Sequence, residues 1–98
     1  MGECYSILKI GFEWDARKDA ENQLKHGISF WEAQVAFRDP RRVIAQDIQH
    51  SGLERRYFCF GRAGEGILTV RFTMRGRRIR IIGAGYWRRG KEAYEKES

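Results

Sequence analysis

The hydrophobic period of this chain switches from helical to alternating at Arg41, and that switch restricts the fold more than any other feature. Upstream, apolar residues recur at helical intervals. Ala16, Ala20 and Leu24 fall every four residues, which would leave Arg17, Lys18, Glu21 and Lys25 facing outward. Phe30, Ala33 and Phe37 then follow at i, i+3 and i+7, with Trp31 and Val35 widening the stripe. Downstream the period is two. Residues 43–48, 56–62, 67–73 and 78–84 read as strands, separated by turn signals at Ser51-Gly52, Gly64-Glu65-Gly66 and Arg75-Gly76. Residues 7–14 alternate well enough for a first strand, with Ile10 and Phe12 on one side.

Local signals bound the helices. Asp15 stands where an N-cap belongs, and Gly27 follows His26 as the residue able to take the left-handed conformation that ends a helix. Ser29-Phe30-Trp31-Glu32 has the spacing of a capping box, and Asp39-Pro40 stops the second helix, because a residue before proline is pushed out of the helical region. A third helix is expected from about Arg89, against the propensity of Gly90, with residues 95–98 as a tail free to be disordered. The chain of 98 residues is therefore expected to form one α+β domain over 1–98. Its two N-terminal helices and C-terminal helix would group on one face of a mostly antiparallel sheet of four to five strands.

Charge is distributed unevenly. Residues 1–54 hold seven Lys/Arg against nine Asp/Glu, whereas residues 55–91 hold eleven against the single acid Glu65. Ten of those eleven are arginine, which favours phosphate or carboxylate recognition over solubility alone. Such a block on a small domain is the electrostatic footprint of a polyanion or of an acidic protein partner. Without a long apolar run or an N-terminal leader pattern, the chain reads as a complete cytoplasmic protein with no membrane partner. Cys4 and Cys59 lack CxxC spacing, and two Cys with two His at no recognisable interval do not make a metal site. No cofactor-binding loop is present, so neither metal nor cofactor is expected.

Alternation puts chosen arginines together. Thr69, Arg71 and Thr73 oppose Leu68, Val70 and Phe72, while Arg78 and Arg80 oppose Ile79 and Ile81. If the two strands are hairpin neighbours, Arg71 and Arg80 share one face and can hold a phosphate and stabilise charge developing on it. Arg56 and Arg62 would extend that surface, and Tyr57, Tyr86 and Trp87 offer faces on which an unstacked base can rest. Phosphodiester cleavage by such a set would proceed by attack of an RNA 2′-hydroxyl, needing positioning, charge stabilisation and one weak acid or base. His26, His50 and the tyrosines suit that last role. His26 is better accounted for as the final residue of a capped helix, which leaves the chemistry to the arginines downstream.

The run from Phe12 through Glu13, Trp14, Asp15, Lys18, Asn22, Lys25, His26, Gly27, Ser29, Phe30 and Glu32 to Ala33, followed by RYFCFGR and RIRII, resembles the BrnT family. These are toxins of type II toxin–antitoxin systems with a RelE-like fold. The resemblance, from about Phe12 to Tyr94, implies a ribonuclease that cleaves RNA without a metal and inhibits translation. It also implies neutralisation by a BrnA-like ribbon-helix-helix antitoxin, with operator DNA reached only through that antitoxin. A homodimer or a toxin–antitoxin hetero-oligomer would be the assembled form. On this reading Arg80, Arg71 and His26 are the catalytic candidates. Arg56, Arg62, Arg78, Arg88 and Arg89 are RNA phosphate contacts, and Tyr57 and Tyr86 are base platforms. Gly85 stands where family members commonly carry an arginine, and Arg88 or Arg89 would take its place. The alternative is a non-catalytic basic protein that docks an antitoxin and modulates its DNA binding.

Overall fold

The computed structural model describes residues 11–97. Residues 7–10 of the expected first strand, with Ile10, and Cys4 lie outside the described residues. In chain order the elements are β1 (Phe12–Trp14), α1 (Ala16–His26), α2 (Phe30–Ala33), β2 (Val43–Gln46), β3 (Arg56–Ala63), β4 (Gly66–Arg75), β5 (Arg78–Gly85) and α3 (Arg88–Glu97). Short 3-10 segments follow α2 at Gln34–Arg38 and β2 at Ile48–His50. The five strands form one mixed sheet in the order β1-β5-β4-β3-β2. Strands β2 to β5 pair antiparallel, and β1 lies parallel to β5, so among the described residues the first strand closes beside the last.

The local signals act as their chemistry requires. Asp15 accepts hydrogen bonds from the amides of Arg17 and Lys18, and these two bonds hold its carboxyl below the usual range. Gly27 ends α1 at φ 71°. Ser29 and Glu32 form the complete capping box, each accepting from the other's amide at 3.0 Å. Only one turn of α-helix follows before the backbone tightens into the 3-10 segment, which Asp39 leaves in extended conformation before Pro40. The tightening keeps Phe30, Ala33, Ala36 and Phe37 inward, and it leaves Trp31 and Val35 exposed, contrary to the wider stripe expected for a continuous helix.

Helix α1 is turned over relative to its apolar pattern. Ala16, Ala20 and Leu24 are exposed, Leu24 by 89%, and the buried residue of the helix is Asn22. The cause lies in the sheet. Strand β1 pairs with β5 only as far as Ile81, so Ala84, which pairs with Val70 of β4 on one side, has no strand on its β1 side. Asn22 supplies it: its Nδ2 donates to Ala84 O at 2.9 Å, and its Oδ1 accepts from Ala84 N at 3.1 Å. The same Nδ2 donates to Ile28 O at 2.8 Å and so ties down the turn after the helix. An unmet backbone pair in the interior costs more than burying an alanine stripe returns, so the polar face wins. Asp19 adds to this face by accepting from the Phe30 amide at 2.8 Å.

The main core lies between α2 and the 3-10 segment on one side and Cys59, Leu68, Val70, Phe72, Ile79, Ile81 and Ala84 of the sheet on the other. Burial pushes the Cys59 thiol up to about 12, which leaves it inert as a nucleophile. The helices do not all group on this face. Helix α3 packs on the opposite one, where Tyr94 and Ala93 meet Phe60, Ile67, Val43, Ala45 and Phe58. Gly90 makes that docking feasible, because a Cβ there would collide with the buried Thr69 hydroxyl. The helix continues to Glu97, so residues 95–97 of the expected tail are helical.

Candidate nucleic-acid interface

The face that carries α3 is only partly covered by it, and the register of the strands fixes what the uncovered part contains. Three rows cross the sheet. In the first, Glu13 lies opposite Arg80, Arg80 opposite Thr73, and Thr73 opposite Arg56. In the second, Gly83 lies opposite Arg71, Arg71 opposite Phe58, and Phe58 opposite Ala45. The third row, Gly85, Thr69, Phe60 and Val43, lies toward α3. Directly opposed residues of antiparallel strands hold their Cβ atoms about 4.5–5.5 Å apart. Arg71 and Arg80 therefore share one face in adjacent rows, as the alternation requires.

The two arginines differ in their bonding. Arg80 Nη1 donates to Glu13 at 2.9 Å, and Arg78 Nε donates to the other oxygen of the same carboxylate at 3.1 Å. Arg78 also reaches Phe12 O at 3.0 Å. Arg56 and Arg75 both lean on Glu54, at 3.7 Å. Arg71 is half-buried and, among the described residues, has no hydrogen-bond or ion-pair partner. Its Cδ passes 4.0 Å from where a Cβ of Gly83 would stand. Beside it the pairing slips by one residue, from Arg71–Gly83 to Phe72–Ile81, so Ile82 is an extra residue in β5. Such a bulge bends the strand and re-aims neighbouring side chains. A partly desolvated guanidinium with unused donors in mid-sheet has the chemistry to hold an anion. Arg80, with one of its five N–H groups on Glu13, retains donors for the same anion.

The other sequence-predicted residues are dispersed. Arg88 and Arg89 are exposed on the first turn of α3. Arg62 lies four residues along β3 from Phe58, about 13 Å away. There its guanidinium carbon sits 6.0 Å from the Tyr94 ring centroid and its amide donates to Asp39 at 2.7 Å. Tyr57 points to the opposite face, stacked on Phe72 at 5.4 Å within the main core. Tyr86 is exposed beside Trp31, Val35 and Ile28 on that core side, and its hydroxyl donates to Ala63 O at 3.1 Å. His26 is exposed and meets Trp87 edge-to-face at 5.2 Å. His50 is engaged with Asp47, its Nδ1 2.9 Å from Oδ2.

Trp87 also explains Gly85. A Cβ at position 85 would lie 2.6 Å from the indole ring, so the space an arginine side chain would need is filled by Trp87. Two residues on the arginine face escaped the sequence reading. Phe58 was legible, since it has the strand parity of Arg56 and Arg62. Glu13 was not, because its place beside Arg80 depends on a parallel pairing between strands more than sixty residues apart.

Fold and site together define a small α+β protein with an arginine-bearing sheet face suited to anions. Residues 14–91 match BrnT_toxin, described as the ribonuclease toxin, BrnT, of a type II toxin–antitoxin system, and the chain belongs to that family. No curated protein matches the chain. None of the described helices is long and apolar enough to cross a membrane.

Proposed function

We propose that this protein is a metal-independent endoribonuclease of RelE-like architecture that cleaves RNA, inhibits translation in the cytoplasm and is neutralised by a BrnA-like ribbon-helix-helix antitoxin. Operator DNA is contacted through that antitoxin, in a toxin–antitoxin hetero-oligomer. The observation that carries the reading is Arg71, half-buried and unpaired among the described residues on the same open face as Arg80. Family membership supports the ribonuclease class.

In this mechanism the scissile phosphate rests on Arg71 and on the remaining donors of Arg80. The neighbouring 2′-hydroxyl attacks phosphorus, the bond to the 5′-oxygen breaks, and the products are a 2′,3′-cyclic phosphate and a 5′-hydroxyl. Guanidinium groups held on a rigid sheet stabilise the added negative charge without reorganising. His26, beside Trp87, is the proton-transfer group of this proposal, since His50 is committed to Asp47. Arg88 and Arg89 guide flanking phosphates from the first turn of α3.

Arg71→Ala tests the reading. Losing one such charge-stabilising donor lowers cleavage by about 100-fold or more and relieves growth arrest, with antitoxin binding retained. Undiminished cleavage by the variant refutes the site, and cleavage abolished by a chelator refutes the metal-free mechanism. One observation favours the second reading, a non-catalytic docking face: Arg78 and Arg80 already hold a carboxylate, as an acidic antitoxin segment would offer. On that reading Arg71→Ala weakens antitoxin binding instead.

A further inference from the structure

Phe58 is the direct cross-strand neighbour of Arg71 and shares its face of the sheet. It is half-buried, and its ring stacks on Phe60 at 5.6 Å with 22° between the planes. Phe60 is buried beneath α3 with Ile67 and Tyr94, so it closes the inner end of this two-ring stack. Phe58 forms the outer end, toward the row of Arg56, Thr73 and Arg80. On its β2 side the neighbour is Ala45, too small to cover the ring. The adjacent aromatic, Tyr57, is turned into the main core.

We propose that Phe58 is the base-stacking platform of this interface and that its ligand is single-stranded RNA. One phosphate sits on Arg71, and the adjoining base lies against Phe58 as a third member of the aromatic stack. This rests on the ribonuclease reading and deepens it. A phosphate anchor and an aromatic ring on directly opposed residues fall within the span of one nucleotide. Stacking accepts every base, because each has a π-face, but it requires that the base be unpaired. Phe58 therefore selects strand state, and the phosphate contacts of the arginines do not.

The test uses the full-length protein and an uncleavable single-stranded oligonucleotide, fully 2′-O-methylated, alone, as a duplex, and as a series with one base removed at each position. Base–aromatic stacking contributes about 1–3 kcal/mol, so Phe58→Leu should weaken single-strand binding by about tenfold and leave duplex binding unchanged. Phe58→Tyr should retain the affinity. Removing the base at one position should cost the wild-type protein a similar factor and cost Phe58→Leu nothing further. The abasic series needs no mutant to fold, so a uniform response of the wild-type protein at every position overturns the proposal. Equal weakening of single-strand and duplex binding by Phe58→Leu also overturns it. If the wild-type protein binds neither form, the ribonuclease reading falls, and this inference with it.

Discussion

Asn22→Leu removes the side-chain amide that completes the sheet while nearly conserving volume. Asn22 is only 6% exposed, and Ala84, whose amide and carbonyl it meets, is fully buried. Leucine leaves both backbone groups unsatisfied in the interior, at about 1–3 kcal/mol each. The carbonyl of Ile28 is less enclosed and can turn to water. The total is about 4 kcal/mol, a large share of the roughly 5–15 kcal/mol that holds a domain folded. For a chain of this size, that lowers the thermal midpoint by about 15–30 °C. Circular dichroism melts and urea unfolding of the two proteins measure it. Asn22→Asp sharpens the test, because a carboxylate would face two carbonyl oxygens it can satisfy only when protonated. That variant should be weaker than wild type at neutral pH and recover part of the loss on acidification. A midpoint for Asn22→Leu within a few degrees of wild type would refute the assignment of α1's inner face to backbone satisfaction.

Two further outcomes follow from the packing and the charges. Gly85→Ala places a Cβ against the Trp87 indole, so the ring must leave Gly85. The His26 ring protons then lose the ring-current shift Trp87 imposes, and overpacking costs about 1–3 kcal/mol. An unchanged His26 spectrum would show that Trp87 is not held there. Asp39 is raised by partial burial, but the Tyr94 hydroxyl at 2.6 Å and the amides of Arg62 and Arg41 outweigh that and leave it depressed. Its folded value lies below the unfolded one, so its stabilisation is complete above about pH 4 and disappears as pH falls through the folded value. Tyr94→Phe should move the Asp39 carboxyl titration upward, which carbon NMR between about pH 2 and 6 reads directly.

The features legible in the sequence were those determined within a few residues. The caps at Asp15 and Ser29, the stop at Asp39-Pro40 and the common face of Arg71 and Arg80 need only local geometry. The turned-over α1 was not legible, because its inner face is dictated by a strand edge sixty-two residues away rather than by its own apolar spacing. Helix α3 lies opposite the other two for a reason equally remote, the fit of Gly90 on Thr69. The exposure of Trp31 reflects a change of helical pitch after Ala33 that no cap or proline announces. In the candidate site, the parity of β3 alone puts Phe58 on the arginine face and Tyr57 against the main core.

The carboxylates of Glu13 and Glu54 bear on how the basic face responds to ions. Seven arginines fall to the nucleic-acid reading: Arg56, Arg62, Arg71, Arg78, Arg80, Arg88 and Arg89. Three are paired with carboxylates, Arg78 and Arg80 with Glu13 and Arg56 with Glu54. Each neutralised phosphate on a single strand contributes about −0.7 to the slope of log affinity against log salt. Seven free arginines would give a slope of about −5, whereas Arg62, Arg71, Arg88 and Arg89 give about −3. Carboxylates of the protein already neutralise part of its basic face, so its grip on RNA should be less sensitive to salt than its sequence charge suggests.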